Sequence, residues 1–267
     1  MNVYKFGGSS LGSANRIENV AQIILSGADK PVVVVSAVGD TTDLLEESIG
    51  KAVETDGDYT VPYKRVKQRH LDIARKLFSP SIQPGIIGKM HLEFKKGENV
   101  LEGINILNEA TEKSKDRILS IGEQVASFLL SEYLKTHSSD VILLDAQSLI
   151  KIKEFNKNRE VVYEPTLANI KGAIADLKGI GVVPGFIGSA EDGSVRTMGR
   201  GGSDLTASLI AEAIQAEVLT LWSDVSGLYT ADPRIVPDAF CIEELSYEEA
   251  LEMSYFGAGI LYPPAVL

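Results

Sequence analysis

Apolar and polar residues alternate along the chain in blocks that predict strands followed by helices. Residues 2–6 have the pattern of a short strand, and a stripe of apolar residues then repeats at helical spacing between positions 17 and 24. Residues 31–36 (PVVVVS) form a continuous β-branched run. Such a run is typical of a strand that is buried on both faces of a parallel sheet.

The same alternation continues to the C-terminal part of the chain. Residues 62–136 read as mostly helical and more polar, and a further helix is predicted around residues 205–213. Strand patterns return at residues 141–144, 161–162, 181–183 and 218–222. Strands that alternate with helices predict an α/β fold in which a mostly parallel sheet is covered by helices on both faces.

Length and composition narrow the class of protein. The 267 residues suit one large α/β domain or two small ones. No apolar run approaches the roughly 20 residues that cross a bilayer, and the N-terminus does not have the pattern of a secretory signal. Cys241 is the single cysteine, so an internal disulfide framework is excluded. We therefore expect a soluble, cytoplasmic protein.

The net charge of −11 narrows the choice of partners. Nucleic acids and anionic membranes attract positively charged proteins, so neither is an expected partner. A phosphate-binding site remains compatible with this charge, because it needs only a few local cations and backbone N–H groups. The three histidines are scattered and no cysteine cluster accompanies them, so we predict no protein-held metal site.

A glycine-rich turn, KFGGSS, occurs where the first strand gives way to a helix. Gly7 and Gly8 allow the backbone to approach a ligand closely, and successive N–H groups then form a concave anion site. Lys5 can place its ammonium against the same phosphate. An ordinary strand-end lysine followed by a tight turn explains the pattern equally well.

A second glycine-rich turn, TMGRGGSD, covers residues 197–204 and leads into a helix expected to start near Ser203 or Asp204. Arg200 stands among three glycines, and its guanidinium suits bidentate contact with a carboxylate. The alternative is a surface turn in which Asp204 only caps the helix. Two such turns are more informative than one, because loops at the carboxyl ends of parallel strands meet at a common crevice.

Two weaker patterns complete the candidate chemistry. After the last strand, Ser223, Asp224, Tyr229 and Arg234 offer polar groups, an aromatic ring and a cation for a nucleotide, although the same segment contains ordinary turn residues. Glu123, within a helical SIGE pattern, could bind the ammonium of a substrate. A solvated surface glutamate is the commoner case.

Six ordered segments resemble the amino-acid kinase superfamily and, within it, the aspartokinases. They are KFGGSS at the start, SAVGDTTDLL at 36–45, ILSIGE at 118–123, MGRGGSD at 198–204, WSDVSGLYTADPR at 222–234 and SYFGAGILYPP at 254–264. The resemblance implies a three-layer αβα sandwich around a mainly parallel, eight-stranded sheet. Nucleotide and amino acid would meet above the carboxyl ends of the strands.

The resemblance also assigns roles to individual residues. Lys5 would contact the transferred phosphoryl group, assisted by the backbone of Gly7, Gly8 and Ser9, and Asp204 would organise the phosphoryl-transfer centre. The residues that would hold aspartate are Thr42, Glu123, Arg200 and Ser203. Those that would line the ATP site are Ser223, Asp224, Tyr229 and Arg234.

The implied reaction is the transfer of a phosphoryl group from ATP to the β-carboxylate of L-aspartate. The product would be 4-phospho-L-aspartate. Its formation would be the first step towards lysine, threonine, methionine and isoleucine. A carboxylate is already a nucleophile, so the protein has to supply positioning and cations rather than a general base. Mg²⁺ would be bound through the nucleotide.

The resemblance covers the chain as one kinase domain, residues 1–267. Its acceptor side would lie mainly in 1–200 and its nucleotide side mainly in 200–267. The C-terminal regulatory ACT domains of full aspartokinases are expected to be absent from this sequence. A homo-oligomer is possible, and more so with such domains present.

One departure from the family pattern keeps alternatives open. A lysine that usually reaches the nucleotide is replaced by Gly259, and Tyr262 replaces a histidine. The chain could therefore be a low-activity or non-catalytic module that senses nucleotides or amino acids. It could also be another kinase of the superfamily, acting on acetylglutamate, glutamate, carbamate or uridylate.

Overall fold

The computed structural model describes residues 1–27, 30–155, 158–255 and 262–266. The described strands are β1 (Val3–Phe6), β2 (Val32–Val35), β3 (Val141–Leu143), β4 (Ile152–Phe155), β5 (Asn158–Val161), β6 (Ile180–Pro184), β7 (Ile187–Ser189), β8 (Val195–Thr197) and β9 (Leu219–Trp222).

The helices are α1 (Ala14–Ser26), α2 (Thr41–Val53), α3 (Thr60–Leu77), α4 (Gln83–Leu107), α5 (Glu112–Lys135), α6 (Ala146–Leu149), α7 (Tyr163–Ile174), α8 (Gly202–Ile214) and α9 (Tyr247–Tyr255). Two short 3₁₀ turns, Gly8–Leu11 and Pro263–Ala265, complete the described elements. No helix in these described stretches is long and apolar enough to cross a membrane.

Five strands form one parallel sheet in the order β3-β6-β2-β1-β9. In β2 the side chains alternate, so that Val33 and Val35 join the core beneath α1–α5 while Val32 and Val34 join the core beneath α7 and α8. All four valines are fully buried, as expected of a central strand between two helical layers. The predicted three-layer α/β architecture with a mainly parallel sheet is confirmed.

The sheet is smaller than the eight strands that the family resemblance implied. Within the described residues, β4 pairs only with β5 and β7 pairs only with β8, each pair being a separate antiparallel hairpin. A single parallel bridge from Lys151 to Ser189 links the segments that lead into the two hairpins. In the part of the chain that the structure describes, neither hairpin has a strand paired with one of the five central strands, so neither extends the central sheet.

The loops after β1, β2 and β6 are joined to one another at the carboxyl edge of the sheet. The N–H of Gly39 donates to the carbonyl of Gly8 (3.0 Å), and the N–H of Gly185 donates to the carbonyl of Val35 (2.8 Å). Backbone groups at this edge are therefore already fixed in relative position, which is what a binding site on loops requires.

Candidate active site

Lys5 lies at the carboxyl end of β1 and forms an ion pair with Asp204. The distance from Lys5 Nζ to Asp204 Oδ1 is 2.7 Å, and both side chains are largely buried. Lys5 and Val3 point to the same face of the sheet, where α8 packs, because side chains alternate along a strand. Asp204 is in the first turn of α8, where the positive end of the helix dipole stabilises a carboxylate.

Gly8 brings the first glycine-rich turn against the loop that follows β2. A Cβ atom at Gly8 would lie 2.7 Å from the carbonyl oxygen of Ala37 and 2.9 Å from that of Gly39. Only a glycine allows two backbones to approach so closely. The close approach seen at Gly8 is to the loop that contains Ala37, and the predicted approach of this turn to a ligand stays a prediction.

Glu123 lies on the other side of that loop, in the middle of α5. Its Oε1 accepts a hydrogen bond from the backbone N–H of Ala37 (3.2 Å), and the residue is 3% exposed. Gly122 beside it lets α5 pack onto the loop, since a Cβ there would lie 2.8 Å from that of Ala37. The commoner alternative, a solvated surface glutamate, is wrong here, because this packing removes Glu123 from water.

The carboxyl group of Glu123 is only half satisfied. Its Oε2 is buried and has no hydrogen-bond partner among the described residues. Burial raises the pKa of Glu123 to about 8, although the hydrogen bonds from backbone N–H groups act in the opposite direction. A buried carboxyl with a free oxygen is a ready site for a cationic group.

The second glycine-rich turn lies at the same end of the molecule. Gly199 and Gly201 have positive φ angles (75° and 71°), a conformation that favours glycine, and α8 starts at Gly202, slightly earlier than expected. Arg200 is exposed and forms no hydrogen bond or ion pair within the described parts of the chain. Arg200 is four positions before Asp204, so their Cα atoms are at most about 14 Å apart.

The remaining predicted acceptor residues flank this region. Ser203 is 9% exposed and packs against the turn after β6, where a Cβ at Gly185 would lie 2.7 Å from the Ser203 Oγ. Thr42 is half-buried in the first turn of α2, next to Thr41, which touches the Gly122 position. The structure thus brings Lys5, Asp204, Ser203 and the Ala37–Glu123 contact to one edge of the sheet.

A cavity of about 230 Å³ lies beside the pair β1 and β9, and it contains three of the predicted nucleotide residues. Ser9, Ser223 and Asp224 line it together with aromatic and polar side chains of β1, α1 and β9, namely Phe6, Arg16, Asn19 and Trp222. Phe6 and Trp222 stack with their ring centroids 5.8 Å apart and form its apolar wall. Apolar walls with a few polar groups are typical of small-molecule sites.

Two of the four residues predicted to line the ATP site, Tyr229 and Arg234, are not brought to this cavity. Arg234 is 88% exposed and forms an ion pair with Asp232 in its own turn (2.7 Å). Tyr229 forms a backbone bridge with Cys241. Neither lines the cavity, and the segment that contains them turns back on itself, since residues 228–230 form backbone hydrogen bonds with residues 240–242.

Two residues near the site were missed by the sequence reasoning. Arg16 donates from Nη1 to the carbonyl of Ser9 and lines the cavity; its place in the first turn after the glycine-rich segment was the available signal. Phe186, in the turn after β6, has a positive φ of 68°, and its ring packs against the Gly202 position. A bulky residue with positive φ cannot be foreseen from sequence, because only the tertiary structure imposes it.

Of the two positions that depart from the family pattern, Gly259 and Tyr262, the structure describes one. Gly259 lies outside the described residues. Tyr262 is described, and its ring contacts Gly201 so closely that a side chain at that position would collide with it. Tyr262 therefore lies against the turn that carries Arg200.

Comparison with known proteins gives one consistent family. A model described as the amino acid kinase family matches residues 1–267. The chain is 35% identical over 270 residues to Aspartokinase 2, chloroplastic, of Arabidopsis thaliana, covering 98% of this chain and 48% of that protein. It is 30% identical to the bifunctional aspartokinase/homoserine dehydrogenase 1 of Zea mays, covering 99% of this chain and 29% of that protein.

Solved structures agree with the sequence relatives. Escherichia coli aspartokinase III, in complex with aspartate and ADP, superposes with a TM-score of 0.91 at 29% identity, covering all of this chain and 59% of that one. Clostridium acetobutylicum aspartate kinase superposes with a TM-score of 0.79 at 31% identity, covering all of this chain and 57% of that one. This chain therefore spans between 29% and 59% of the length of these four relatives.

Proposed function

This chain belongs to the amino acid kinase family, and on that premise we propose that it transfers the γ-phosphoryl group of ATP to the β-carboxylate of L-aspartate. The product would be 4-phospho-L-aspartate, on the route to lysine, threonine, methionine and isoleucine. The observation that carries the choice of substrate is the buried Glu123, whose free Oε2 suits the ammonium of an unacylated amino acid.

The acceptor would be bound at both of its charged ends. Glu123 would hold the α-ammonium. The exposed guanidinium of Arg200, which has no partner among the described residues, would hold a carboxylate in bidentate geometry. Ser203 and Thr42 would each supply a hydroxyl group to the acceptor. This arrangement disfavours N-acetylglutamate, which has no ammonium, and uridylate, whose phosphate would call for more cations on the acceptor side.

The nucleotide would be placed on the other side of Lys5. Its phosphates would lie against the backbone of Gly7, Gly8 and Ser9, and its base end would extend into the cavity lined by Trp222, Ser223 and Asp224. The cavity takes residues from both ends of the chain, so the proposed division into an acceptor side and a nucleotide side is not strict. We propose no direct contact for Tyr229 or Arg234 in the conformation seen.

In the transfer step, an oxygen of the β-carboxylate attacks the γ-phosphorus, and the bond to the β–γ bridging oxygen breaks, releasing ADP. Lys5 neutralises charge on the phosphoryl oxygens, and Asp204 holds the Lys5 ammonium in place. Asp204 is not a general base, because the acceptor carboxylate has no proton to remove.

Mg²⁺ would supply further neutralisation of the phosphate charges. Within the described ranges, no group of three or more His, Cys, Asp or Glu side chains could hold a metal ion. Lys5 and the backbone N–H groups of the first glycine-rich turn are donors that suit phosphate oxygens rather than a cation. This donor set fits an ion that arrives on the nucleotide.

A coupled ADP-release assay tests this proposal directly. We expect ADP release with L-aspartate, and none with L-glutamate, N-acetyl-L-glutamate, carbamate or uridylate. N-acetyl-L-aspartate is the sharpest control, because it keeps both carboxylates and lacks only the ammonium. Trapping the product with hydroxylamine would identify the acyl phosphate. ADP release that is indifferent to L-aspartate, or nucleotide binding with no turnover on any acceptor, would refute the proposal.

A further inference from the structure

Asp116 is a buried carboxylate near the start of α5 that the proposed reaction does not use. It is 1% exposed, and its Oδ1 accepts from Thr197 Oγ1 (2.6 Å), from the Thr197 backbone N–H (3.3 Å) and from Arg159 Nη1 (2.7 Å). Its Oδ2 lies 3.8 Å from Arg196 Nε and accepts no hydrogen bond among the described residues. A carboxylate is costly to bury unless donors satisfy it, so the three hydrogen bonds to Oδ1 make this cluster a specific arrangement.

Thr197 connects Asp116 to the turn that carries Arg200. It is the last residue of β8 and the first residue of the glycine-rich turn, and it is 3% exposed. Asp116 accepts hydrogen bonds from both the hydroxyl and the backbone N–H of Thr197. The first residue of the turn is therefore fixed to α5.

The other end of the same turn is fixed independently. Asp204, in the first turn of α8, is held by Lys5. Between the two anchored ends lie Gly199 and Gly201, and the side chain of Arg200 has no partner within the described structure that would orient it. The position of Arg200 consequently depends on the anchors rather than on contacts of its own.

Asp116 and Glu123 also share one face of α5. They are seven residues apart, which is two helical turns, and both are buried. One rigid helix therefore carries the carboxyl proposed for the ammonium and the carboxylate that anchors the Arg200 turn. A small amino acid that is bound at both ends by Glu123 and Arg200 needs these two side chains at a fixed separation.

From these contacts we infer that Asp116 is a positioning residue, which holds the Arg200 turn at a fixed distance from Glu123 through the hydroxyl and N–H of Thr197. The inference rests on the proposed aspartate site. Arg159 supports the same anchor, since it donates to Thr197 Oγ1 (2.8 Å) as well as to Asp116.

The matched variants are Thr197→Val and Thr197→Ser. Valine keeps the shape of threonine and removes the hydroxyl, whereas serine keeps the hydroxyl. We expect Thr197→Val to raise the KM for aspartate about tenfold, the size of a lost hydrogen bond to a charged group, while the KM for ATP stays within about twofold. Thr197→Ser should have the same KM for aspartate as wild type. Asp116→Asn should resemble Thr197→Val if it folds.

Asp192→Asn is the control for charge removal. Asp192 also connects α5 to the β7–β8 hairpin, because it pairs with Lys113 (2.9 Å) and with Ser194, but it is solvent-exposed. Its removal should leave the KM for aspartate unchanged, since it does not touch Thr197.

A second readout does not depend on activity. Trypsin cleavage after Arg200, followed by mass spectrometry, should be several-fold faster in Thr197→Val and Asp116→Asn than in wild type, Thr197→Ser or Asp192→Asn. Cleavage after the exposed Arg234 in the same digest is the internal reference. Digestion well below the measured Tm ensures that global unfolding does not contribute.

The two readouts separate the inference from the proposed function. Equal Arg200 cleavage and equal KM for aspartate in Thr197→Val and Thr197→Ser would overturn the positioning role. If cleavage is faster in Thr197→Val but the wild-type protein shows no aspartate-dependent ADP release, the Asp116–Thr197 anchor would be supported. The aspartate kinase proposal would then be refuted.

Discussion

The ammonium of Lys5 is held by one carboxylate at the point where the two proposed substrates would meet. Lys5→Met keeps the length of the side chain and removes its charge. We expect kcat to fall by roughly 100-fold or more, the loss typical of removing a positioned charge-stabilising group. The fold should survive, because the helix dipole still stabilises Asp204. ADP release and Tm measure the two effects.

Lys30→Met is the matched control for Lys5. Lys30 also pairs with an aspartate, Asp140 (2.9 Å), but about half of each side chain is exposed. Its replacement should change neither kcat nor Tm appreciably. Turnover of Lys5→Met close to that of wild type would show that Lys5 does not act on the phosphoryl group.

Arg200 has no structural partner among the described residues, so its replacement tests binding in isolation. Arg200→Ala should raise the KM for aspartate about tenfold or more, because a charge-assisted contact to a carboxylate is lost, with Tm unchanged. Arg75→Ala, which removes an exposed pair with Asp72, should have no effect on KM. A change confined to the KM for ATP would instead place Arg200 at the nucleotide.

The raised pKa of Glu123 leads us to expect that aspartate binding depends on pH. Its pKa of about 8 means that the carboxyl is mostly protonated at pH 7 in the free protein, whereas an ammonium favours the ionised form. Binding should therefore release a proton and become tighter as pH rises from 6 to 8, by up to about tenfold per unit. Titration calorimetry in buffers of different ionisation enthalpy measures the released proton.

Glu123→Gln supplies the control for this pH profile. Glutamine cannot ionise, so the variant should bind aspartate weakly and with no pH dependence in this range. Glu132→Gln, on the same helix but paired with Lys135 (2.7 Å), should keep the wild-type profile. A wild-type affinity that is constant between pH 6 and 8 would show that the ammonium does not bind at Glu123.

At the scale of elements, the turn after β1 and the turn after β2 depend on each other through Gly8. Gly8→Ala would place a methyl group 2.7 Å from the carbonyl of Ala37, so one backbone must move. We expect a loss of stability of about 1–3 kcal/mol, as for other overpacked sites, and a loss of turnover because Lys5 and Glu123 lie on opposite sides of this contact. Denaturant unfolding and ADP release measure both.

Gly50→Ala is the reference for Gly8→Ala. Gly50 lies within α2, and a Cβ there would meet no atom within 4 Å. Alanine favours the helix, so this variant should be more stable by about 0.5–1 kcal/mol and fully active. If both substitutions had the same effect, the close approach at Gly8 would have no special importance.

The elements that could be predicted from sequence are those whose pattern reflects local geometry. The valine run of β2 and the glycine-flanked turn around Arg200 were both located because burial on two faces and positive φ have direct signatures. The start of α1 could not be placed from sequence: Ser13 and Asn15 are both residues of the type that caps helices, and in the structure the Ser13 hydroxyl accepts from the Arg16 N–H. Either residue type can cap a helix, so sequence alone did not decide.

The parts that could not be predicted depend on contacts between distant segments. Glu123 resembles any glutamate on an amphipathic helix, and its burial arises only because Gly122 packs against Ala37. The Asp116 cluster likewise joins residues from α5, β5 and β8, which have no sequence relation. The two separate hairpins were also unforeseen, since short strand patterns do not indicate which strands will pair.

At the scale of the whole molecule, the strand order explains how two substrates could share one cation. β1 has β2 on one side and β9 on the other, so the Lys5 strand separates the Ala37–Glu123 region from the Trp222–Asp224 cavity. The chain has a net charge of −11, yet both proposed ligands are anions. Their binding therefore depends on local cations and on the ordered backbone N–H groups at this edge.

This arrangement predicts that aspartate and nucleotide can be bound at the same time, and that each binds even when no phosphoryl transfer takes place. A ligand at 100 times its Kd adds about 2.7 kcal/mol to the stability of the folded state, which for a protein of this size is roughly 5–10 °C in Tm. L-aspartate and ADP with Mg²⁺ should therefore each raise the Tm, and the two together should raise it further. Lys5→Met should lose most of the nucleotide shift and keep the aspartate shift, because the proposed contact of Lys5 is with phosphate and not with aspartate. Arg200→Ala should show the reverse. Shifts that disappear together in both variants would mean that the two ligands compete for one pocket, and the placement of the substrates on either side of β1 would be wrong.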